Sequence, residues 1–386
     1  MDDRGWRVRW DGEGAGTSAD GWISLLEHHR HPSGLLPKMG TLPRPVGAQT
    51  GPRGSLRLVT KPSRRAPFVI GDHEVLAGTK HEIELRVARL PPGMWTGVPL
   101  SVIHGKRPGP TMWVSGALHG DELNGVPIVR TLIGATDPRT LSGTLLAVPI
   151  INVFGVTIGS RYLPDRRDLN RSFPGSPRGS LASRLAHTFF ENVVLRCELG
   201  IDFHTGSGGR ANLPQIRCDL DQPETEHYAR VFAAPLIKHA DQRDGALRAA
   251  AHERGIKVLL FEAGEAGRFD RRAIALGVAG TQRVMAAAGM IEKAPVPADE
   301  PSLSTRSSTW IRAGRSGFCV MDARLGDWVG PGQKLGAIID SMSKKEVSIR
   351  AKNGGMVIGL LRTAMVHQGD GVVHVAEVQG ARADAR

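Results

Sequence analysis

From about residue 100 to 290, near-continuous apolar runs of strand length alternate with stretches of helical periodicity. The runs fall at 110–118, 144–151, 199–203 and 257–261, and the helical patterns at 181–197, 224–237, 246–254 and 270–288. Apolar runs without polar alternation suit strands covered on both faces, as in parallel sheets. The alternation of strand and helix predicts an α/β layered fold with helices on both faces of the sheet. Ligands of such sheets gather outside the carboxyl ends of the strands. His119, His204 and Glu262 each stand at such an end.

Residues 68–87 read as strands, and His81-Glu-Ile-Glu-Leu-Arg-Val87 alternates polar and apolar, so one face meets water. Residues 1–65 carry Gly, Pro and Arg in excess with little periodicity and read as a flexible extension, with room for a short helix at Trp22-Ile-Ser-Leu-Leu-Glu-His28. The Pro-rich stretch 291–308 reads as a linker behind a domain spanning 66–290. Beyond it the helical periodicity stops. Short strand-like runs and the glycine turns Gly326-Asp-Trp-Val-Gly-Pro-Gly332, Lys352-Asn-Gly-Gly355 and Gln368-Gly-Asp-Gly371 predict a small all-β domain over 309–380.

A chain of 386 residues has room for a large core and two domains, and 40% hydrophobic with 23% charged residues suits a soluble globular protein. No apolar run approaches the roughly 20 residues that span a bilayer, and the acidic start Met1-Asp-Asp-Arg4 is unlike a secretory signal, so no membrane partner is expected. Cys197, Cys218 and Cys319 are odd in number and far apart. They exclude a disulfide framework and a cysteine-based metal site, and suit a reducing, cytoplasmic setting. The net charge of +12 comes from scattered residues, mostly arginine, in a chain with only 5% aromatics. A nucleic-acid binder would show a basic stripe interleaved with aromatics. Arginine-rich coding bias accounts for such scatter, and the functional alternative is a positive field that draws in a small anionic substrate. Self-association into a homo-oligomer stays open.

The chemistry-bearing residues cluster in four motifs. His119-Gly-Asp-Glu122 follows the run Thr111-Met-Trp-Val-Ser-Gly-Ala-Leu118 and precedes a helix start at Leu123. An imidazole and a carboxylate three residues apart at a strand-to-helix junction can point the same way. Asp202-Phe-His204 supplies a second imidazole after another apolar run. Two histidines and a glutamate make a three-ligand zinc site that keeps an open position, as catalytic sites do. Glu262, ending the run Val258-Leu-Leu-Phe261 before Ala263-Gly264, is the candidate general base, with Glu265 as a competitor lying beyond the strand end. Asp168-Leu-Asn170-Arg171-Ser-Phe-Pro-Gly175 offers a guanidinium fork and a neutral amide for a carboxylate, with Asp168 placed to hold the segment or an arginine. Arg161, Arg166 and Arg167 are candidates for polarising a scissile carbonyl. Arg217, alternating with Ile216, is a further substrate-binding candidate, whereas His104, His187, His239 and His367 lack paired ligand spacing and read as surface or satisfied core residues.

In this order the motifs resemble the succinylglutamate desuccinylase and aspartoacylase family, over about residues 68 to 378. The resemblance implies a zinc carboxypeptidase-like mixed sheet flanked by helices, followed by a small β barrel similar to biotinyl and lipoyl domains. It implies one zinc ion per chain on His119, Glu122 and His204, with Glu262 as general base. Asn170 and Arg171 would grip the free carboxylate of the substrate, and Arg161 would help polarise the amide carbonyl. The stretch from Arg161 to Asp168 is longer than in aspartoacylase, so Arg166 and Arg167 stay in contention.

The function expected is a zinc-dependent amidohydrolase that removes an acyl group from an N-acyl amino acid or a related small molecule. A zinc carboxypeptidase acting on peptides and a zinc-containing protein that binds ligands without catalysis are the alternatives. In the β domain, Ser341-Met-Ser-Lys-Lys-Glu346 lacks the lysine set between methionines that carrier domains modify. Intact-mass measurement of the purified chain should therefore show no lipoyl or biotinyl increment; either increment would make this domain a carrier.

Overall fold

The computed structural model describes residues 65–378 apart from 90, 91, 242, 298, 299 and 344. The N-terminal extension, including the short helix expected at 22–28, lies outside the described residues save for Arg65. A hairpin of β1 (Phe68–Ile70) and β2 (His73–Val75) leads into β3 (Thr79–Arg89), β4 (Trp95–His104) and β5 (Arg107–Gly116). There follow α1 (Gly125–Ala135), β6 (Ser142–Val148), the short α2 (Val153–Thr157), α3 (Leu181–Asn192), β7 (Leu199–Gly206), β8 (Arg210–Cys218) and α4 (Pro223–Phe232). Next come β9 (Leu236–His239), α5 (Leu247–His252), β10 (Lys257–Glu265) and α6 (Arg271–Ala287). The regular elements of the C-terminal region are all strands: β11 (Leu303–Thr305), β12 (Ser307–Arg312), β13 (Gly317–Met321), β14 (Trp328–Val329), β15 (Lys334–Ile339), β16 (Glu346–Arg350), β17 (Gly355–Leu361), β18 (Met365–Val366) and β19 (Gly371–Glu377). Among the described residues no helix is long and apolar enough to cross a membrane.

The main sheet runs β12-β19-β17-β8-β10-β7-β5-β6-β4-β3. Its centre, β10-β7-β5-β6, is parallel and contains the four apolar runs of the sequence. Antiparallel strands β8 and β4 flank it, so the sheet is mixed. Strand alternation gives the two faces different cores. Met112, Val114, Ile201, Phe203, Leu259 and Phe261 pack with residues of α1, α4 and α6. Trp113 and Val258, from the other face, pack with residues of α3 and α5. By the same alternation Ser115, Asp202, His204 and Glu262 share the α3/α5 side.

The helices start where the sequence supplies caps. Asp270 accepts from the backbone N–H groups of Arg272 and Ala273 at the head of α6, and Pro223 opens α4 with Glu224 and Glu226 in its first turn. One helical pattern overran. The periodicity over 224–237 continues past the true end of α4, and Leu236 and Ile237 belong to strand β9. Ala233 takes a left-handed conformation (φ 58°) and Pro235 follows it. A proline just past the cap cannot continue the helix, and an adjacent apolar pair fits either period.

The C-terminal region is joined to the centre of the main sheet by hydrogen bonds. β8 pairs with β9 through Gln215–Cys218 and with β17 through Arg210–Asn212. A second antiparallel sheet, β16-β15-β13-β18, closes against β17 and β19 over a core that includes Ile338, Val357, Leu360 and Val373. Within the stretch 291–308, β11 pairs in parallel with β9.

The first motif is placed by a close approach of backbone to backbone. A Cβ on Gly116, at the end of β5, would lie 2.7 Å from the carbonyl carbon of Gly125, where α1 begins. Gly116→Ala should therefore cost about 3 kcal/mol, because neither backbone segment can yield. Gly134→Ala, on the exposed end of α1 with nothing within 4 Å, should gain up to about 1 kcal/mol. Urea midpoints of the two variants test this, and a Gly116 variant as stable as wild type would show that the junction is loosely packed.

Candidate active site

The strand end of β5 is bent to deliver His119. Ala117, fully buried, adopts a left-handed conformation (φ 48°), and its carbonyl accepts from the Asn152 N–H at 3.0 Å. Strain of this kind persists where surrounding contacts over-determine it, commonly at functional sites. Asn124 then ties the junction to β10 and α6: its Nδ2 donates to the Ala263 carbonyl at 3.0 Å and its Oδ1 accepts from the Asp270 N–H at 2.9 Å. Gly264, at φ 76°, brings its backbone against that same Asn124 amide, where a Cβ would stand 2.8 Å away. The glycine after Glu262 is thus required both by conformation and by space.

His119, Glu122 and His204 are brought together, each no more than 3% exposed. Glu122 Oε1 accepts from His119 Nδ1 and Oε2 from His204 Nδ1, both at 2.8 Å. The Thr205 N–H adds a bond to Oε2 at 3.1 Å, and Arg161 Nη1 one to Oε1 at 3.1 Å. Each imidazole turns its other nitrogen to an aspartate. His204 Nε2 donates to Asp202 Oδ2 at 2.8 Å, and Ser115 Oγ donates to the other oxygen of Asp202. His119 Nε2 stands 3.3 Å from Asp168 Oδ1, a charge contact without hydrogen-bond alignment, so that buried nitrogen has no hydrogen-bond partner among the described residues.

Charge is held in this cluster against burial. Burial pushes the Glu122 carboxyl up, but the two imidazoles outweigh it and keep it well below the usual carboxylate range. Burial pushes both imidazoles down, yet both end above their ordinary value: His119 through Glu122 and Asp168, His204 through Asp202 and Glu122. One ring nitrogen of each imidazole and a Glu122 oxygen lie within 4.8 Å of one another. Two imidazoles and a carboxylate, with aspartates behind, are the donors and the outer shell that a divalent cation of zinc type takes. His119, Glu122 and His204 therefore form a group that can hold a metal ion.

Glu262 is 8% exposed and stands opposite His204 in the parallel pairing of β10 with β7. Both line one cavity of about 720 Å³. Glu265 faces a different cavity of about 570 Å³, which separates the two glutamates. Of the three arginines upstream of Asp168, the cavity is lined by Arg161, whereas Arg166 and Arg167 are exposed. Arg161 Nη2 donates to Asp168 Oδ2 at 3.0 Å. Asp168 also caps the short turn Leu169–Arg171 by accepting from the Asn170 N–H. It acts on the arginine and the loop and does not line the cavity. Asn170 Oδ1 accepts from the Leu247 N–H at the head of α5, leaving the Nδ2 of this cavity residue without a partner among the described residues. Arg171 is exposed on the same cavity. Arg217 lines it too, but its Nη1 lies 3.0 Å from Glu262 Oε1.

Four contributors escaped the sequence reading. Asp202 sits two residues before His204, the spacing that puts both on one face of a strand. Asn212 donates to Glu262 Oε2 at 2.7 Å. Trp310 and His374, from β12 and β19, stack with centroids 4.5 Å apart and line the cavity from the C-terminal region. Only Asp202 had a local signal. His104, read as satisfied core, meets Thr144 Oγ1 and the Ala66 carbonyl.

Known proteins resemble this chain in sequence and fold. Residues 108–288 match the model of the succinylglutamate desuccinylase/aspartoacylase catalytic domain. The chain is 28% identical over 298 residues to the N-alpha-acetyl-L-2,4-diaminobutyric acid deacetylase of Halomonas elongata, covering 74% of this chain and 87% of that protein. A succinylglutamate desuccinylase/aspartoacylase from Rhodobacter sphaeroides superposes with a TM-score of 0.71 at 25% identity, covering 78% of this chain and 96% of that one. The product-bound ectoine utilization protein EutE (DoeB) from Ruegeria pomeroyi gives 0.71 at 26%, covering 77% and 95%. The motifs, their placement at strand ends and these likenesses agree: residues 108–288 match the succinylglutamate desuccinylase/aspartoacylase catalytic domain, and the chain as a whole is similar to proteins of that family.

Proposed function

We propose that the protein is a zinc-dependent amidohydrolase that removes the acyl group from a small N-acylated amino acid. The observation that carries this reading is the convergence of His119 and His204 on Glu122, with Glu262 in register beside His204 on one cavity. When bound by His119, Glu122 and His204, one zinc ion per chain polarises a carbonyl and lowers the pKa of water towards about 7. Glu262 takes the proton given up as water adds to the acyl carbon. It returns that proton to the leaving nitrogen as the amide C–N bond breaks. Arg161, oriented by Asp168, donates to the carbonyl oxygen as negative charge gathers there. Asn170 and Arg171 grip the free carboxylate of the amino acid.

The charges around the cavity support an anionic substrate. Arg161, Arg171, Arg217, Lys238 and Arg248 line it, while Glu122 and Asp202 are bound up with the imidazoles. The Halomonas relative is named for an acetylated diamino acid; the cations here disfavour a substrate that keeps a free amine. A volume near 720 Å³, walled by Trp310 and His374, suits a small molecule better than a peptide. The cytoplasmic setting read from three unpaired cysteines belongs to the same proposal.

Glu262→Gln should retain zinc and lose on the order of a thousandfold in kcat, the scale of a missing general base. His204→Ala should lose both metal and turnover. Zinc content and amine release from N-acyl amino acids measure both, and wild-type turnover in the Gln variant would remove Glu262 from the role of base. A second expectation concerns protons. In the metal-free protein both imidazoles hold their protons more tightly than an ordinary histidine does, through Glu122 with Asp168 and Asp202, and metal ligation requires them neutral. Zinc titration near pH 7 should then release protons, and affinity should weaken as the pH falls. Calorimetry in buffers of different ionisation enthalpy reads the proton count; zinc uptake without proton release would contradict the ligand assignment.

A further inference from the structure

Both oxygens of Glu262 are engaged, and the two partners differ. Asn212, which holds Oε2, is buried, and its strand is pinned by β17, where Gly359 stands opposite it. Arg217, which holds Oε1, has a side chain 27% exposed that lines the cavity. Asn212 is fixed; Arg217 has somewhere to go.

Its surroundings are unbalanced in charge. Lys238 stands opposite Arg217 in the pairing of β8 with β9. Burial, and then Arg217, Arg248 and Arg243, push the Lys238 ammonium down to about 8, with Asp241 the acid acting the other way. Burial, with Arg217 and Lys238, pushes His374 down to about 3, so this wall adds no charge of its own. Glu262 is the acid ion-paired with Arg217 among the described residues. A second carboxylate entering this corner would meet Arg217, Lys238 and Arg248 together.

We propose that Arg217 is a positioning residue that latches Glu262, and that a second carboxylate on the substrate, on its acyl chain or its amino-acid side chain, draws the guanidinium off. This rests on the deacylase reading for its catalytic consequence, but not for the binding exchange. The exchange conserves charge, one carboxylate replacing another on the guanidinium. It leaves Oε1 free to accept a proton while Asn212 keeps the carboxyl oriented through Oε2. A substrate with no second carboxylate leaves the latch closed and turns over slowly even when it fits.

The test compares wild type, Arg217→Gln and Arg217→Lys, as full zinc-loaded chains with circular dichroism confirming the fold. The substrates are N-succinylalanine, N-acetylglutamate and N-butanoylalanine, which place the second carboxylate on the acyl chain, on the side chain or nowhere. In Arg217→Gln, KM for the dicarboxylate that reaches the latch should rise about tenfold with little change in kcat, while kcat for N-butanoylalanine rises. Whichever dicarboxylate shows this identifies the source of the anion. An equal loss of kcat on all three substrates would make Arg217 a plain support of Glu262 and overturn the latch.

A binding measurement needs no turnover. With Glu262→Gln the guanidinium is released in advance, so succinate should bind about tenfold more tightly than to wild type, and Arg217→Gln should weaken it. Equal affinity in wild type and Glu262→Gln would overturn the latch whatever the hydrolysis shows. The predicted tightening, without hydrolysis of any N-acyl amino acid, would uphold the latch and overturn the deacylase reading instead.

Discussion

The site depends on one buried carboxylate. Glu122 is almost fully enclosed, and a charge removed from water is tolerable only when it is paired and hydrogen-bonded. Two imidazoles, a guanidinium and a backbone N–H meet that demand, and they come from three separate stretches of chain. Each of those partners is then constrained in turn. Asp202 orients His204, and Ser115 orients Asp202; Asp168 approaches His119 and binds Arg161. Both imidazoles turn Nδ1 inward to Glu122 and Nε2 outward to an aspartate, bonded in the case of His204 and in charge contact in the case of His119. Removing the carboxylate at the centre would leave two buried imidazoles, their ring centroids 4.9 Å apart, without the group that both Nδ1 atoms meet.

The second constraint is carried by β8. Its first residues hydrogen-bond to β17 and its last to β9, so one strand links the C-terminal region, the centre of the main sheet and the cationic corner. Asn212 and Arg217 both lie on it, and each reaches an oxygen of Glu262 on the neighbouring strand. The C-terminal strands bring Trp310 and His374 to the cavity, stacked on one another, with Arg210 of β8 over the indole face. The cavity is therefore built from both regions, with Trp310 and His374 supplied by the C-terminal one.

Much of this was legible in the chain. The four central strands appear as apolar runs because strands covered on both faces have no polar side to show. His119, Glu122, His204 and Glu262 stand out because polar groups directly after such runs project from strand ends. Asn170 and Arg171 could be assigned to the cavity from their motif. The linear pattern gave no hold on Arg161 against Arg166 and Arg167; the contacts of Arg161 with Glu122 and Asp168 separate them. Nor could it separate helix from strand at Leu236 and Ile237, where the left-handed turn at Ala233 decides.

The amino-acid sequence by itself determined the α/β alternation, the β-rich C-terminal region and the candidate ligands and base, because periodicity and strand-end polarity are local properties. The tertiary structure decided which groups work on which. Asp202 as the partner of His204, Asp168 as the holder of Arg161, Arg217 on Glu262 and Trp310 with His374 at the wall are all pairings across strands or distant segments. Such pairings are set by register and by the need to neutralise buried charge, and neither quantity is defined until the sheet has formed.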